Sequence, residues 1–136
     1  INNLVKSEVK PFDKNYSKWM FDITRRVHNK GIKIMAGTDT PIFVLTPGLS
    51  LHEELAVLVE AGLSPLEALK SATTNPAAYF NLDNELGKIA INNWADLVIL
   101  DANPLDDINN TKQINAVIFK FTIFKSLSSG ISEKLP

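Results

Sequence analysis

Apolar residues at Tyr16, Trp19, Met20, Ile23 and Val27 recur at three- and four-residue intervals, the stripe of an amphipathic helix. The spacing predicts a helix from Lys14 to Lys30, with Asp13 as its N-cap and Gly31 as its C-terminal stop. Ile32 to Ala36 barely alternates, which predicts a strand buried on both faces. Three helix starts follow. Ser50-Leu51-His52-Glu53 has the pattern of a capping box, and its helix runs through Leu55, Leu58 and Val59 to Gly62. Ser64-Pro65-Leu66-Glu67 repeats the device with Pro at the first helical position, and Leu66, Leu69 and Ala72 form the apolar side. Asn75-Pro76 opens a short third helix through Ala77, Ala78 and Phe80. After Gly87 the period changes to that of strands. Leu97 to Leu100 reads as a buried strand between Asp96 and Asp101, Asn103-Pro104 as a turn, and Ile114 to Phe124 as a hairpin or two short strands. The pattern is α/β, helix-dominated at first and β afterwards, with a boundary between Leu82 and Gly87.

Composition narrows the class. The 136 residues are 45% hydrophobic, enough for a sizeable core, and 14 Lys and Arg against 15 Asp and Glu leave a net charge of −1. That balance offers no electrostatic footprint for nucleic acid or an anionic membrane. No apolar run reaches the ~18 residues of a membrane span, and the first ten residues lack the apolar core of a signal peptide. The expected protein is soluble, with the cytoplasm favoured over export. Absence of Cys removes disulfide and thiolate chemistry. The chain opens on Ile1 and not on an initiator Met, so a processed or cut piece of a longer polypeptide is expected.

One stretch raises a chemical question. In "GIKIMAGTDTP" the apolar run ends at Gly37 and delivers Asp39 to the point where the chain leaves the predicted strand. In parallel α/β folds, functional groups gather beyond the carboxyl ends of strands. An acid there can bind a metal or act as a general base. It can equally shape an Asx turn ahead of Thr40-Pro41. His52, in the first turn of its helix, could serve a metal or a substrate, or be a plain exposed imidazole. His28 suits a helix C-terminus and reads as structural. Glu53 and Glu54 read as capping and a solvated face, and Tyr16, Trp19 and Met20 as core. No glycine-rich phosphate loop, Gly-x-Ser-x-Gly elbow or Cys nucleophile is present. Two His and one acid do not complete a metal site, which needs at least three protein ligands.

The motifs Gly-Thr-Asp, His-Glu-Glu-Leu, Ala-Gly-Leu-Ser-Pro-Leu-Glu-Ala-Leu, Ala-Thr-x-Asn-Pro-Ala and Ala-Asp-Leu-Val-Ile-Leu-Asp occur in that order between Gly31 and Phe119. Together they closely resemble the C-terminal part of metal-dependent amidohydrolases, nearest the imidazolonepropionase-like and prolidase-like branch. The resemblance implies that residues 1–84 are the last units of a (β/α)₈ TIM-type barrel whose final strand is Ile32 to Ala36. Residues 85–136 would then supply strands to a small β-sandwich that also uses N-terminal strands. It implies that Asp39 is a ligand of Zn²⁺ or another divalent metal and the base that takes a proton from the attacking water. His52 corresponds to a recurrent His and would line or support the substrate pocket. The remaining ligands, a His-x-His pair among them, would lie in an upstream part of the same polypeptide, and the substrate would be a small amide, cyclic amide or dipeptide. This chain alone would be inactive. Where the family has Pro-Gly-Lys, Ile91-Asn92-Asn93 stands here, and Asn tolerates the left-handed turn. With its partner strands missing, the isolated chain is expected to associate with copies of itself or to be a portion of something longer. The alternative is a non-catalytic structural or interaction module in which Asp39 only shapes a loop.

Overall fold

The computed structural model describes residues 14–40, 45–120 and 122–125. Helix α1 (Lys14–Asn29) is followed by α2 (Leu49–Glu60), α3 (Pro65–Ser71) and α4 (Thr74–Tyr79). Strand β1 (Leu97–Leu100), a 3₁₀ turn (Ile108–Lys112), β2 (Ile114–Phe119) and β3 (Thr122–Lys125) complete the order. The expected N-cap Asp13 lies outside the described residues, as do Pro41, Phe121 and the tail beyond Lys125. Among the described residues no helix is long and apolar enough to cross a membrane.

Helix α1 stops where expected. Gly31 takes φ 73°, and its N–H donates to the His28 carbonyl at 2.8 Å. Its apolar stripe, read as core from the sequence, stands open instead: Trp19 is 55% exposed and Tyr16 50%. Periodicity shows which face a helix would bury, but not that a partner is present to cover it.

The core forms where α2 and α3 meet the 3₁₀ turn. Leu55 and Leu58 of α2, Leu63 of the α2–α3 connection, Ala68 of α3 and Ile108 make one buried cluster, with Ile34, Ala36 and Leu69 packed against it. Helix α3 begins as its sequence dictates: the Glu67 N–H donates to the Ser64 hydroxyl, and the Glu67 carboxylate accepts from the Ser64 N–H at 2.8 Å. The matching device expected at Ser50 is not formed. The helix starts two residues earlier, at Leu49 after Gly48 at φ 85°, and buried Ser50 donates its hydroxyl to the Thr46 carbonyl at 2.9 Å. Asn75 does not open α4 but sits inside it, because its amide is engaged elsewhere.

Ile32 to Ala36 runs without strand pairing among the described residues, contrary to the sequence expectation, and Ile32 is 57% exposed. A strand needs a ladder, and the neighbours available to this segment are helices. The later strands do form. β1, β2 and β3 make an antiparallel sheet in that order, with Val98 opposite Val117 and Ile118 opposite Ile123. A register shift falls between Ile99 and Leu100. β1 is less buried than its sequence suggests, with Val98 and Ile99 half exposed. Lys120, at φ 47°, makes the β2–β3 turn and donates its N–H to the Asp96 carboxylate at 3.2 Å. Asn92 adopts φ 71°, as its place in Ile91-Asn92-Asn93 required.

Candidate functional site

The site is built around the segment Ile34–Thr40, which leaves the core and turns. The Ala36 N–H donates to the Ser71 carbonyl at 3.0 Å, and Asn75 Nδ2 donates to the Ile34 carbonyl at 2.9 Å. Residues 34 and 36 of an extended segment present their polar groups on one side. One turn of the α3–α4 unit therefore grips a single edge of it. Ser71 is fully buried and anchored by its own hydroxyl, which donates to the Ala68 carbonyl at 2.6 Å.

Beyond the gripped edge the chain bends at Asp39, which has φ 52° and an exposed side chain. A left-handed backbone is uncommon outside Gly, though Asp and Asn bear it better than other residues. The flanking hydroxyls of Thr38 and Thr40 lie 2.8 Å apart and close the bend. From α2 the half-buried Glu54 reaches this loop: burial raises its pKa, while the Gly37 backbone stabilises the charged form. Glu54 is thus not on a solvated face, as its sequence position suggested.

His52 is two residues from Glu54, and residues so spaced do not share a helix face. It turns to the other side, into an apolar cavity of about 620 Å³ between the helices and residues 86–98, lined in part by Leu55, Ala72, Pro76, Trp94 and Val98. Its Nδ1 is buried and has no hydrogen-bond partner among the described residues. Desolvation, aided by the nearby Lys112 charge, lowers its pKa and favours the neutral ring. Asp39 is not among the residues lining this cavity. His28, at the end of α1, has Nε2 3.1 Å from the Glu67 carboxylate, a link between α1 and α3.

Among the described residues no three His, Cys, Asp or Glu side chains converge as a metal site would require. Asp39 by itself makes no metal site. The sequence pointed to Asp39 but missed Asn75 and Glu54. The signal available for Asn75 was a polar side chain just before Pro76, in a segment otherwise rich in Ala and Thr.

Comparisons with known proteins agree with the motif order. The sequence model of the amidohydrolase family matches residues 10–125. Ochratoxinase of Aspergillus niger is 37% identical over 89 residues, which is 64% of this chain and 18% of that protein. Imidazolonepropionase of Rubrobacter xylanophilus is 39% identical over 61 residues, 41% of this chain and 15% of that protein. Among solved structures, a Xaa-Pro dipeptidase with bound methionine in the active site superposes with a TM-score of 0.71 at 30% identity, over 79% of this chain and 26% of that one. The chain thus spans about a fifth of the length of the curated relatives it matches, and about a quarter of the solved one. With most of its length matched by one family's pattern, and relatives from the same family in both sequence and structure, the chain belongs to the amidohydrolase family.

Proposed function

We propose that this chain is the C-terminal part of a metal-dependent hydrolase of amide or cyclic-amide C–N bonds, and that Asp39 is its catalytic acid–base residue and one metal ligand. The observation that carries the reading is Asp39 itself, an exposed carboxylate in a left-handed bend at the end of a segment held by two helices. Outlying backbone conformations are often kept where function needs them. In this reading Ile32–Ala36 becomes the last strand of a (β/α)₈ barrel once upstream strands pair with its remaining edge, the α3–α4 unit interrupting closure on the other at residues 34 and 36. β1 to β3 likewise become part of a composite β-sandwich.

The intact enzyme would draw its other ligands from the upstream part of the polypeptide. Zn²⁺ or a similar ion, when bound, supplies the polarisation that brings a water toward ionisation near neutral pH. Asp39 would be one ligand of that ion, and its carboxylate would accept a proton from the attacking water and deliver it to the leaving nitrogen, which departs as a neutral amine. His52, neutral and half-buried in an apolar cavity, is suited to lining or supporting a substrate pocket.

The competing reading is a non-catalytic module, favoured by the Thr38–Thr40 contact that makes Asp39 part of a tight turn. Asp39→Asn separates the two. Asn tolerates the same left-handed backbone but is neither a base nor a charged ligand. In the complete polypeptide, kcat for amide hydrolysis should fall at least ~10²-fold, the lower end for losing a general base, with little change in melting temperature. Near-normal kcat would return Asp39 to loop shaping.

A further inference from the structure

We infer that Asn75 is a positioning residue for Asp39, and that with the Ser71 carbonyl it stands in for a neighbouring strand along one edge of the segment that carries the acid. The inference rests on the catalytic reading of Asp39 above.

In a parallel ladder a single residue of one strand offers its N–H to the carbonyl of residue i and its carbonyl to the N–H of residue i+2 of the other. Ile34 and Ala36 are such a pair. The Ile34 carbonyl accepts from Asn75 Nδ2 at 2.9 Å, and the Ala36 N–H donates to the Ser71 carbonyl at 3.0 Å. The acceptor and the donor of the pattern come from positions four apart in the α3–α4 unit, the acceptor a backbone carbonyl and the donor a side-chain amide. Sheet geometry is thereby imposed on the segment by helices.

The consequence reaches Asp39 because little slack separates it from the clamp. Only Gly37 and Thr38 lie between Ala36 and Asp39. Glu54 meets Gly37 from α2, and the Thr38 and Thr40 hydroxyls close the bend. Ser71 is buried to completion and Ala68 beneath it is equally so, hence that half of the clamp has no freedom to follow a drifting segment. The Asn75 amide is the half that a single substitution can remove. Its loss frees the Ile34 carbonyl and lets the bend relax from the conformation at φ 52°. A displacement of the order of 1 Å in a reacting group can cost roughly 10²-fold in rate.

The test uses the complete polypeptide carrying Asn75→Ala, and separately Asn75→Asp, which keeps the shape but replaces the donor with a second acceptor. Hydrogen exchange read by mass spectrometry over a peptide spanning residues 33–40 should quicken about tenfold in both, while α2 peptides keep their protection. With Zn²⁺ supplied and an Xaa-Pro dipeptide as probe, kcat should fall about 10- to 100-fold with KM within about threefold. In an Asp39→Asn background the Asn75 substitutions should add little, as expected of residues acting through one another. Unchanged exchange over residues 33–40, or full additivity with Asp39→Asn, would overturn the inference. Asn75→Ser serves as a milder variant should the others not fold, with the same exchange readout deciding. Failure of the catalytic reading looks different: Asp39→Asn alone would keep its kcat while exchange over 33–40 still answered to Asn75.

Discussion

At the scale of single residues, Asp39 and His52 illustrate different ways of being constrained. Asp39 is exposed and held through its backbone, whereas His52 is held by what surrounds its ring. A lowered imidazole pKa has a signed consequence for stability. Below about pH 6.5 the unfolded chain binds a proton at this position that the folded chain resists, so stability is lost as pH falls toward the folded pKa. Glu54 acts with the opposite sign, because its raised carboxyl pKa favours the folded state at low pH. Comparing wild type with His52→Gln, which is neutral at all pH, isolates the His52 contribution. The melting temperature of wild type should drop further between pH 7.5 and pH 5 than that of the variant; parallel curves would mean that His52 is solvated in the folded protein. The exposed bend at Asp39 was legible in the sequence because apolar run, Gly and acid are adjacent. Asn75 was not, since its partner lies 41 positions away and no local pattern encodes that contact.

Elements were legible in proportion to how local their causes are. The Ser64–Glu67 box satisfies itself within four residues, so it formed as read. Ser50 sits in an equally good pattern, yet the Thr46 carbonyl captures its hydroxyl and the helix starts at Leu49. Glu67 contributes through its hydrogen bonds to Ser64, which lower its pKa, with a smaller share from His28. Glu67→Gln keeps an acceptor but loses the charge. Because the carboxylate is largely solvated, the cost should be only about 0.5 kcal/mol at neutral pH, and smaller still once the pH falls below the lowered pKa and the wild-type carboxylate is itself protonated. A urea titration at pH 7 and about pH 2.5 would measure it, and an equal cost at both would place the effect in packing. Gly87 is the more demanding position. It has φ 88°, and a Cβ there would lie 2.6 Å from the Ala77 Cβ and 2.9 Å from the Thr73 carbonyl oxygen. Gly87→Ala meets both the left-handed penalty and the clash, together about 2–4 kcal/mol. A thermal melt within a degree or two of wild type would show that α4 and the Gly87 turn are not packed as described.

Over the whole molecule, the buried set is small and the exposed apolar set is large. Among the described residues eight hydrophobic side chains are buried, whereas Ile89 and Ile91 are 89% and 92% exposed and Trp94, Val98 and Phe124 are more than half exposed. Surfaces of that kind are uncommon on soluble monomers. The isolated 136-residue chain should therefore self-associate at low micromolar concentration, and light scattering that shows only a 15.0 kDa species would count against the barrel reading. Its affinity for Zn²⁺ should be weak, because Asp39 has no converging ligands among the described residues. Isothermal titration giving one tight site per chain would contradict this. The overall class, helices followed by strands, was legible because periodicity carries it. The pairing of Ile32–Ala36 was not, because a strand's identity depends on what lies beside it.

The grip on that segment also sets an order of events in synthesis. Ile34 leaves the ribosome 41 residues before Asn75, which at ordinary elongation rates is an interval of roughly 2–8 s. For those seconds the Ile34 carbonyl and Ala36 amide are unclaimed, with an apolar run around them open to pairing with any nascent strand nearby. A ribosome paused before Ser71 prolongs that exposure, and one released past Asn75 ends it. Codon choice between residues 37 and 75 should therefore alter the yield of soluble protein without altering a single residue.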